Sequence, residues 1–133
     1  LIVDDHAVVR DGIRAVLALQ RDMQVVGEAM NGKEAVDKTS ELLPDVVVMD
    51  IVMPVMNGLD ATRVIHKECP LAKVLILTQY DEEENVLASR QVGAVGFIPK
   101  AAASSRLITG IRSVARGDQS WIESLSSKPS QQS

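Results

Sequence analysis

The sequence predicts a doubly wound α/β fold, a five-stranded parallel sheet covered on both faces by five helices. Three observations carry this expectation. Short apolar runs rich in β-branched residues, each too brief for a helix, recur five times. Segments with helical spacing of apolar residues lie between them. The runs are apolar nearly throughout, as strands buried on both faces must be, which favours parallel pairing through right-handed crossovers.

In chain order, the expected strands are Leu1 to Val3, Gln24 to Ala29, Asp45 to Met49, Lys73 to Leu77 and Val95 to Ile98. The first helix is marked by Val9, Ile13, Val16 and Leu17, and the last by Leu107, Ile111, Val114 and Ala115. Asn31 followed three residues on by Glu34, and Asp81 followed by Glu84, read as helix N-caps. Glu82 and Glu83 add favourable charge at the second of these starts, as a solvated first turn. Pro44 and Pro70 end the helices before the third and fourth strands, while Gly93 and Gly117 suit C-terminal caps. The chain opens at Leu1 inside a strand with no initiator Met, so the first strand is expected to be incomplete. A domain spanning residues 1–117 is therefore expected. Residues 118–133 shift to Ser, Gln, Lys and Pro and read as a flexible linker, with Trp121 either docked on the last helix or partly exposed.

A chain of 133 residues with 46% hydrophobic content can bury one core without disulfides or structural metals. Its apolar runs are far shorter than the roughly 20 residues of a membrane helix, and it lacks the basic start and apolar core of a secretory signal. No membrane partner and a cytoplasmic location are expected. The lone Cys69 has no metal-ligand neighbours and reads as a bystander thiol. A net charge of -4 offers no attraction for nucleic acid, and one Trp, one Tyr and one Phe are too few for a base-stacking surface.

In such a sheet, ligands bind beyond the carboxyl ends of the strands. There the first strand delivers Asp4 and Asp5, the third Asp50, the fourth Thr78 and the fifth, after Pro99, Lys100. Three gathered carboxylates repel one another unless a cation intervenes, and an all-oxygen set favours Mg2+. Beside that ion, Asp50 is placed to attack phosphorus, with Lys100 neutralising the transferring oxygens. Thr78 can donate its hydroxyl to a phosphoryl oxygen only after transfer, which makes it the candidate switch.

Four stretches in this order resemble the receiver domains of bacterial two-component response regulators. They are Val3-Asp4-Asp5-His6, Asp50-Ile51-Val52-Met53-Pro54-Val55-Met56-Asn57-Gly58, Leu77-Thr78 and Gly93-Ala94-Val95-Gly96-Phe97-Ile98-Pro99-Lys100. The resemblance implies the flavodoxin-like strand order 2-1-3-4-5. It implies Asp50 as phosphoacceptor, with Asp4, Asp5, Asp50 and the backbone carbonyl of Val52 serving Mg2+, Asp5 in preference to Asp4 as a direct ligand. It gives Thr78 and Lys100 the phosphate-sensing roles and Phe97 the place of an aromatic that moves with the threonine. No organic cofactor is implied. The Asp-Asp-His start with Val9-Arg10-Asp11-Gly12 resembles the NarL/FixJ (LuxR-type) class, whose members carry a C-terminal helix-turn-helix domain; residues after Gly117 encode none. The implied partners are a sensor histidine kinase and, on phosphorylation, a second copy of the domain. The dimer face is expected on the fourth helix, fifth strand and fifth helix, with Arg90, Arg106, Arg112 and Arg116 facing Asp81 to Glu84. The first and last helices form an alternative face. DNA would be reached only through an output domain outside this chain, and the domain would be an enzyme only toward its own phosphorylation. One departure stands out: Pro99 precedes Lys100 and Ala101 follows it, so the usual Lys-Pro order is lost and a trans Lys100-Ala101 bond is expected.

Each residue alone has a plainer reading. Asp4 and Asp5 could be solvated strand-end residues, Lys100 a surface lysine, Thr78 a β-branched strand residue and Phe97 a half-buried strand aromatic. Their shared location is what gives them meaning. His6 has no second ligand at metal spacing and reads as a solvent-facing loop residue, while His66 falls on a helix. Three other functions compete. An aspartyl-nucleophile phosphatase would carry a second Asp where this chain has Val52. A flavodoxin-like cofactor binder would need a Ser/Thr/Gly-rich phosphate loop where Asp5-His6-Ala7-Val8-Val9 stands. A receiver-like module that is never phosphorylated would not need the acidic set and Lys100.

Overall fold

A computed structural model describes residues 1–121. Its elements are β1 (Ile2–Val3), α1 (Ala7–Ala18), β2 (Glu28–Ala29), α2 (Gly32–Leu42), β3 (Val46–Met49), α3 (Gly58–Glu68), β4 (Lys73–Thr78), α4 (Glu83–Gln91), β5 (Gly96–Pro99) and α5 (Ala103–Ala115). A single 3-10 turn, Lys100–Ala102, links β5 to α5. The five strands pair in parallel in the order β2-β1-β3-β4-β5, as expected. β1 and β2 are only two residues each, shorter than their apolar runs.

Alternation along the strands divides the core into two layers. Val3, Val47, Met49, Val74, Ile76 and Phe97 face one side with Ala35, Ala61, Ile65 and Val86 from α2, α3 and α4. Ile2, Val48, Leu75, Leu77 and Ile98 face the other, against Ile13 and Leu17 of α1 and Leu107, Ile111 and Val114 of α5. Each such side chain contributes about 1.5–3 kcal/mol when fully buried. The apolar spacing read for the first and last helices is thus the spacing that seats them on the sheet.

Local chemistry sets the ends of the helices. Asn31 caps α2 by accepting the Glu34 N–H at 2.9 Å, and the Glu34 carboxylate returns to accept the Met30 N–H at 3.0 Å. Asn57 caps α3 by accepting the Asp60 N–H at 2.9 Å. Gly93 (φ 103°) and Gly117 (φ 96°) follow α4 and α5 in left-handed conformations that a Cβ would strain, as their sequence positions suggested. The expected Asp81 cap does not form. Glu82 occupies the N-cap of α4 without a side-chain bond to a backbone N–H, and Asn85 ties this end instead, donating from Nδ2 to Tyr80 O (3.0 Å) and Glu82 Oε2 (3.2 Å).

The first residues of the expected linker touch the domain. Residues 118–121 remain on the body, where Ser120 forms a parallel bridge to Gly96 on the outer edge of β5. Trp121 is half-buried and packs on the α2–α4 side of the core. The rest of the expected linker, 122–133, lies outside the described residues. Among the described residues no helix is long and apolar enough to cross a membrane, and no peptide bond is cis, so Lys100-Ala101 is trans as expected.

Candidate functional site

Register aligns the carboxyl ends of the strands. Val3 pairs with Met49, Met49 with Ile76, and Thr78 with Pro99, so the residues just beyond them share one edge. Asp4 and Asp50 sit there side by side and are buried, at 2% and 3% exposure, in positions carboxylates occupy only when compensated. Lys100 supplies the compensation. Its ammonium lies 2.8 Å from Asp4 Oδ2 and 3.0 Å from Asp50 Oδ2. The second oxygen of Asp50 accepts the Ile51 N–H at 2.7 Å, and Asp4 Oδ1 accepts the His6 N–H at 2.9 Å.

These contacts set the protonation states. Burial pushes the Asp4 carboxyl upward, but the hydrogen bond from Lys100, the His6 backbone N–H and the Lys100 charge outweigh it and hold Asp4 below the usual carboxylate range. Burial likewise lowers the Lys100 ammonium, and its bonds to Asp4 and Asp50 more than reverse that, leaving it raised. The pocket is thus two buried aspartates, Asp4 and Asp50, both held by one lysine.

Asp5 differs from its neighbour. Its Oδ1 is buried and accepts no hydrogen bond, although His6 Nδ1 comes within 3.2 Å in poor geometry for one. An anionic oxygen withdrawn from water and left without a donor fits a cation in the pocket, and oxygen donors from Asp4, Asp5 and Asp50 fit a hard one. Oxygen or nitrogen atoms of Asp4, Asp5 and His6 lie within 4.8 Å of one another. His6 is exposed, as the sequence suggested, yet its Nδ1 is 3.2 Å from both Asp4 Oδ1 and Asp5 Oδ1, so it stands on the rim of the acidic pair rather than apart from it.

Of the remaining predicted residues, Thr78 closes β4 in full burial, and its Oγ1 accepts the Tyr80 N–H at 3.2 Å, so its hydroxyl proton is free to find another acceptor. Val52 lies half-exposed in the β3–α3 loop. Phe97 is fully buried rather than half-buried, against the layer that holds Ile76 and Val86. Two supporting residues appeared in the sequence only as members of motifs, with no role attached. Arg10 donates from Nη1 to the Asp4 carbonyl at 2.7 Å and from Nε to Glu28 at 3.0 Å, bracing the turn after β1. The sequence offered only its place one turn into an amphipathic helix and in the Val9-Arg10-Asp11-Gly12 stretch, neither of which points to this contact. Gly58 donates its N–H to Ile51 O at 2.7 Å, and any Cβ there would collide with the Asp50 carbonyl. Glycine is required for α3 to start so close to the carboxylate.

A doubly wound sheet whose β1 and β3 ends pool three aspartates, and whose β5 end delivers a lysine onto two of them, defines the receiver class of α/β domain. The family model for the response regulator receiver domain matches residues 1–112, and the chain belongs to that family of two-component signalling domains. It is 41% identical over 118 residues to the response regulator protein VraR of Staphylococcus aureus, covering 89% of this chain and 56% of the relative. The chain therefore spans about half the length of the curated relatives it matches. A LuxR-family two-component response regulator from Aurantimonas sp. SI85-9A1 superimposes with a TM-score of 0.88 at 30% identity, over 98% of this chain and 94% of that one. The isolated receiver domain of RcsB from Salmonella enterica serovar Typhimurium, solved with the phosphomimetic BeF3-, gives 0.85 at 25% identity over 94% and 93%. The likeness to LuxR-type regulators read in the N-terminal residues is borne out.

Proposed function

We propose that this domain accepts a phosphoryl group on Asp50 from a sensor histidine kinase in the cytoplasm and passes the change to an output that controls transcription. The observation that carries the reading is the state of Asp50. It is a buried carboxyl group at a strand end, with one oxygen accepting from the Ile51 N–H and the other from Lys100, which also holds Asp4, the neighbour of the unsatisfied Asp5 oxygen. In the transfer an Asp50 oxygen forms the new O–P bond as the donor's bond to phosphorus breaks, giving an aspartyl phosphate. Lys100, already within reach, follows the phosphoryl oxygens and offsets their charge. Thr78 donates its unengaged hydroxyl proton to the new group, Tyr80 and the β4–α4 loop move with it, and Phe97 on the adjacent strand answers by repacking.

Asp4, Asp5, Asp50 and the carbonyl of Val52 are the residues to hold Mg2+, which when bound neutralises the gathered negative charge. Arg10 and Gly58 keep the ligands in place. Support for the wider role comes from relatives: a receiver of this shape has been captured with a phosphomimetic, and related regulators are of the LuxR type. The chain acts on no substrate beyond its own phosphorylation and loss of phosphate. A phosphorylated domain then self-associates, and DNA is reached only through an output domain.

The test is mass spectrometry after incubation with a small phosphodonor and Mg2+. The wild-type chain should gain one phosphoryl group, labile to acid and base, and Asp50→Asn should gain none. Labelling that survives in Asp50→Asn, or that proceeds equally in excess chelator, would overturn the assignment and leave an unphosphorylated interaction module as the better reading.

A further inference from the structure

Beyond the pocket, the least expected contact is the one that closes the outer edge of β5. An edge strand presents unpaired N–H and C=O groups that recruit other chains. Here the chain's own residues take them: the Phe97 N–H donates to Ser120 O and the Ser120 N–H donates to Val95 O, both at 2.9 Å. Two glycines make room. A Cβ on Gly96 would fall 2.7 Å from Ser120 O, and one on Gly110 of α5 would press on Ile98 at 2.8 Å and on Ser120 Oγ at 3.3 Å. Trp121 completes the seat. Its ring lies 4.4 Å beneath the Arg90 guanidinium of α4, its Nε1 donates to Gln119 Oε1 at 2.8 Å, and it packs on the layer that includes Phe97.

The segment therefore lies between α4 and α5, across the face expected to meet a second copy. Three of the four arginines expected to serve that partner are engaged within the chain: Arg90 with Trp121, Arg112 with Asp22 and Gln20, and Arg116 with Asp118. A second copy could not approach the β5 edge without displacing the segment.

We propose that residues Gln119 to Trp121 form a detachable clasp, a short strand that withholds the β5 edge from a second copy of this chain while Phe97 is buried and leaves when β5 repacks. The coupling is direct, because the amide that holds the clasp belongs to Phe97 and the ring that seats it rests on the same core layer. The release half of this inference rests on the phosphoacceptor reading; the docked half does not.

The test uses the 133-residue chain, in which Trp121 is the only tryptophan. Ser120→Pro removes the N–H that bonds Val95. It should red-shift tryptophan emission, quicken hydrogen exchange at the Phe97 amide by about tenfold or more, leave circular dichroism unchanged and raise self-association in sedimentation. Arg90→Gln, which spares the backbone, should shift the emission in the same direction. Emission and Phe97 exchange identical to wild type in both variants would show that no clasp exists. A released tail with unchanged self-association would show that it does not guard the edge. With Mg2+ and beryllofluoride, wild type should show the same red shift and Asp50→Asn none. If fluorine resonances report bound beryllofluoride but the emission stays fixed, the coupling is refuted; if no beryllofluoride binds, it is the phosphoacceptor reading that fails.

Discussion

Replacing Lys100 by Met keeps the length of the side chain and deletes its charge, which leaves Asp4 and Asp50 buried with no cation between them. The Lys100 ammonium makes two contacts, 2.8 Å and 3.0 Å, to carboxylates almost wholly withdrawn from water. Removing one partner of a fully buried pair costs about 3–5 kcal/mol, whereas pairs at the surface are worth about 0–1 kcal/mol. Lys100 is 21% exposed and the pocket opens on one side to solvent. The expected loss without divalent ions is thus about 1–3 kcal/mol, a fall in Tm of roughly 5–12 °C for a domain of this size. Magnesium should recover part of it, because a cation held by Asp4, Asp5 and Asp50 supplies the missing charge, and its stabilisation grows with its affinity. Thermal unfolding of wild type and Lys100→Met across a magnesium titration checks this. Equal stability of the two proteins in chelator would show that the lysine does not compensate the aspartates, and a loss that no divalent ion recovers would refute the pocket as a cation site.

Thr78→Val, which keeps the shape and removes the hydroxyl, should cost about 1 kcal/mol in urea unfolding through the lost Tyr80 bond. It should leave labelling of Asp50 intact while erasing the phosphorylation-dependent NMR shifts in α4 and β5. Gly58→Ala should destabilise by more than about 3 kcal/mol, since its Cβ meets backbone rather than a movable side chain, and should reduce the yield of folded protein. Acid stability should also depend on the pocket. Asp4 is depressed in the fold, burial being outweighed by Lys100 and His6, so it adds stability above the unfolded carboxylate range that is lost as pH falls through its folded value. Lys100→Met should flatten that acid limb in denaturation followed by circular dichroism, and an unchanged limb would contradict the assignment.

The sheet and the site were legible in the sequence because both rest on short-range patterns. Short runs apolar nearly throughout located the strands, and the polar residues at or just beyond four of them, Asp4, Asp50, Thr78 and Lys100, located the pocket, since the last residue of a buried parallel strand leads to its carboxyl edge. What stayed hidden depends on pairs far apart in the chain. Gly58 declares its role only once α3 is seen against the Asp50 carbonyl, and Gly96 and Gly110 only once Ser120 lies between them. The Asp81 cap does not form because α4 begins one residue later than the spacing suggested, with Glu82 at the N-cap, and Asn85 ties that end by donating to the Tyr80 carbonyl and the Glu82 carboxylate. Residues 118–121 have the composition of a linker, and nothing in it shows that the outer groups of β5 need a partner.

The loop after Asp50 is laced at both ends, by Gly58 N–H to Ile51 O at 2.7 Å and by the N–H of Gly32, at the head of α2, to Met56 O at 2.8 Å. The loop after Thr78 is held only by bonds that stay within it and the first turn of α4. One wall of the pocket is accordingly stiff and the opposite wall compliant. Fast loop motion is therefore expected in the second wall, while a rearrangement of the first would have to break bonds that tie it to α2 and α3. Under the proposed function, a disturbance at the pocket centre is expected to move the loop after Thr78 before the loop after Asp50, because the two differ in how firmly they are tied to the rest of the fold.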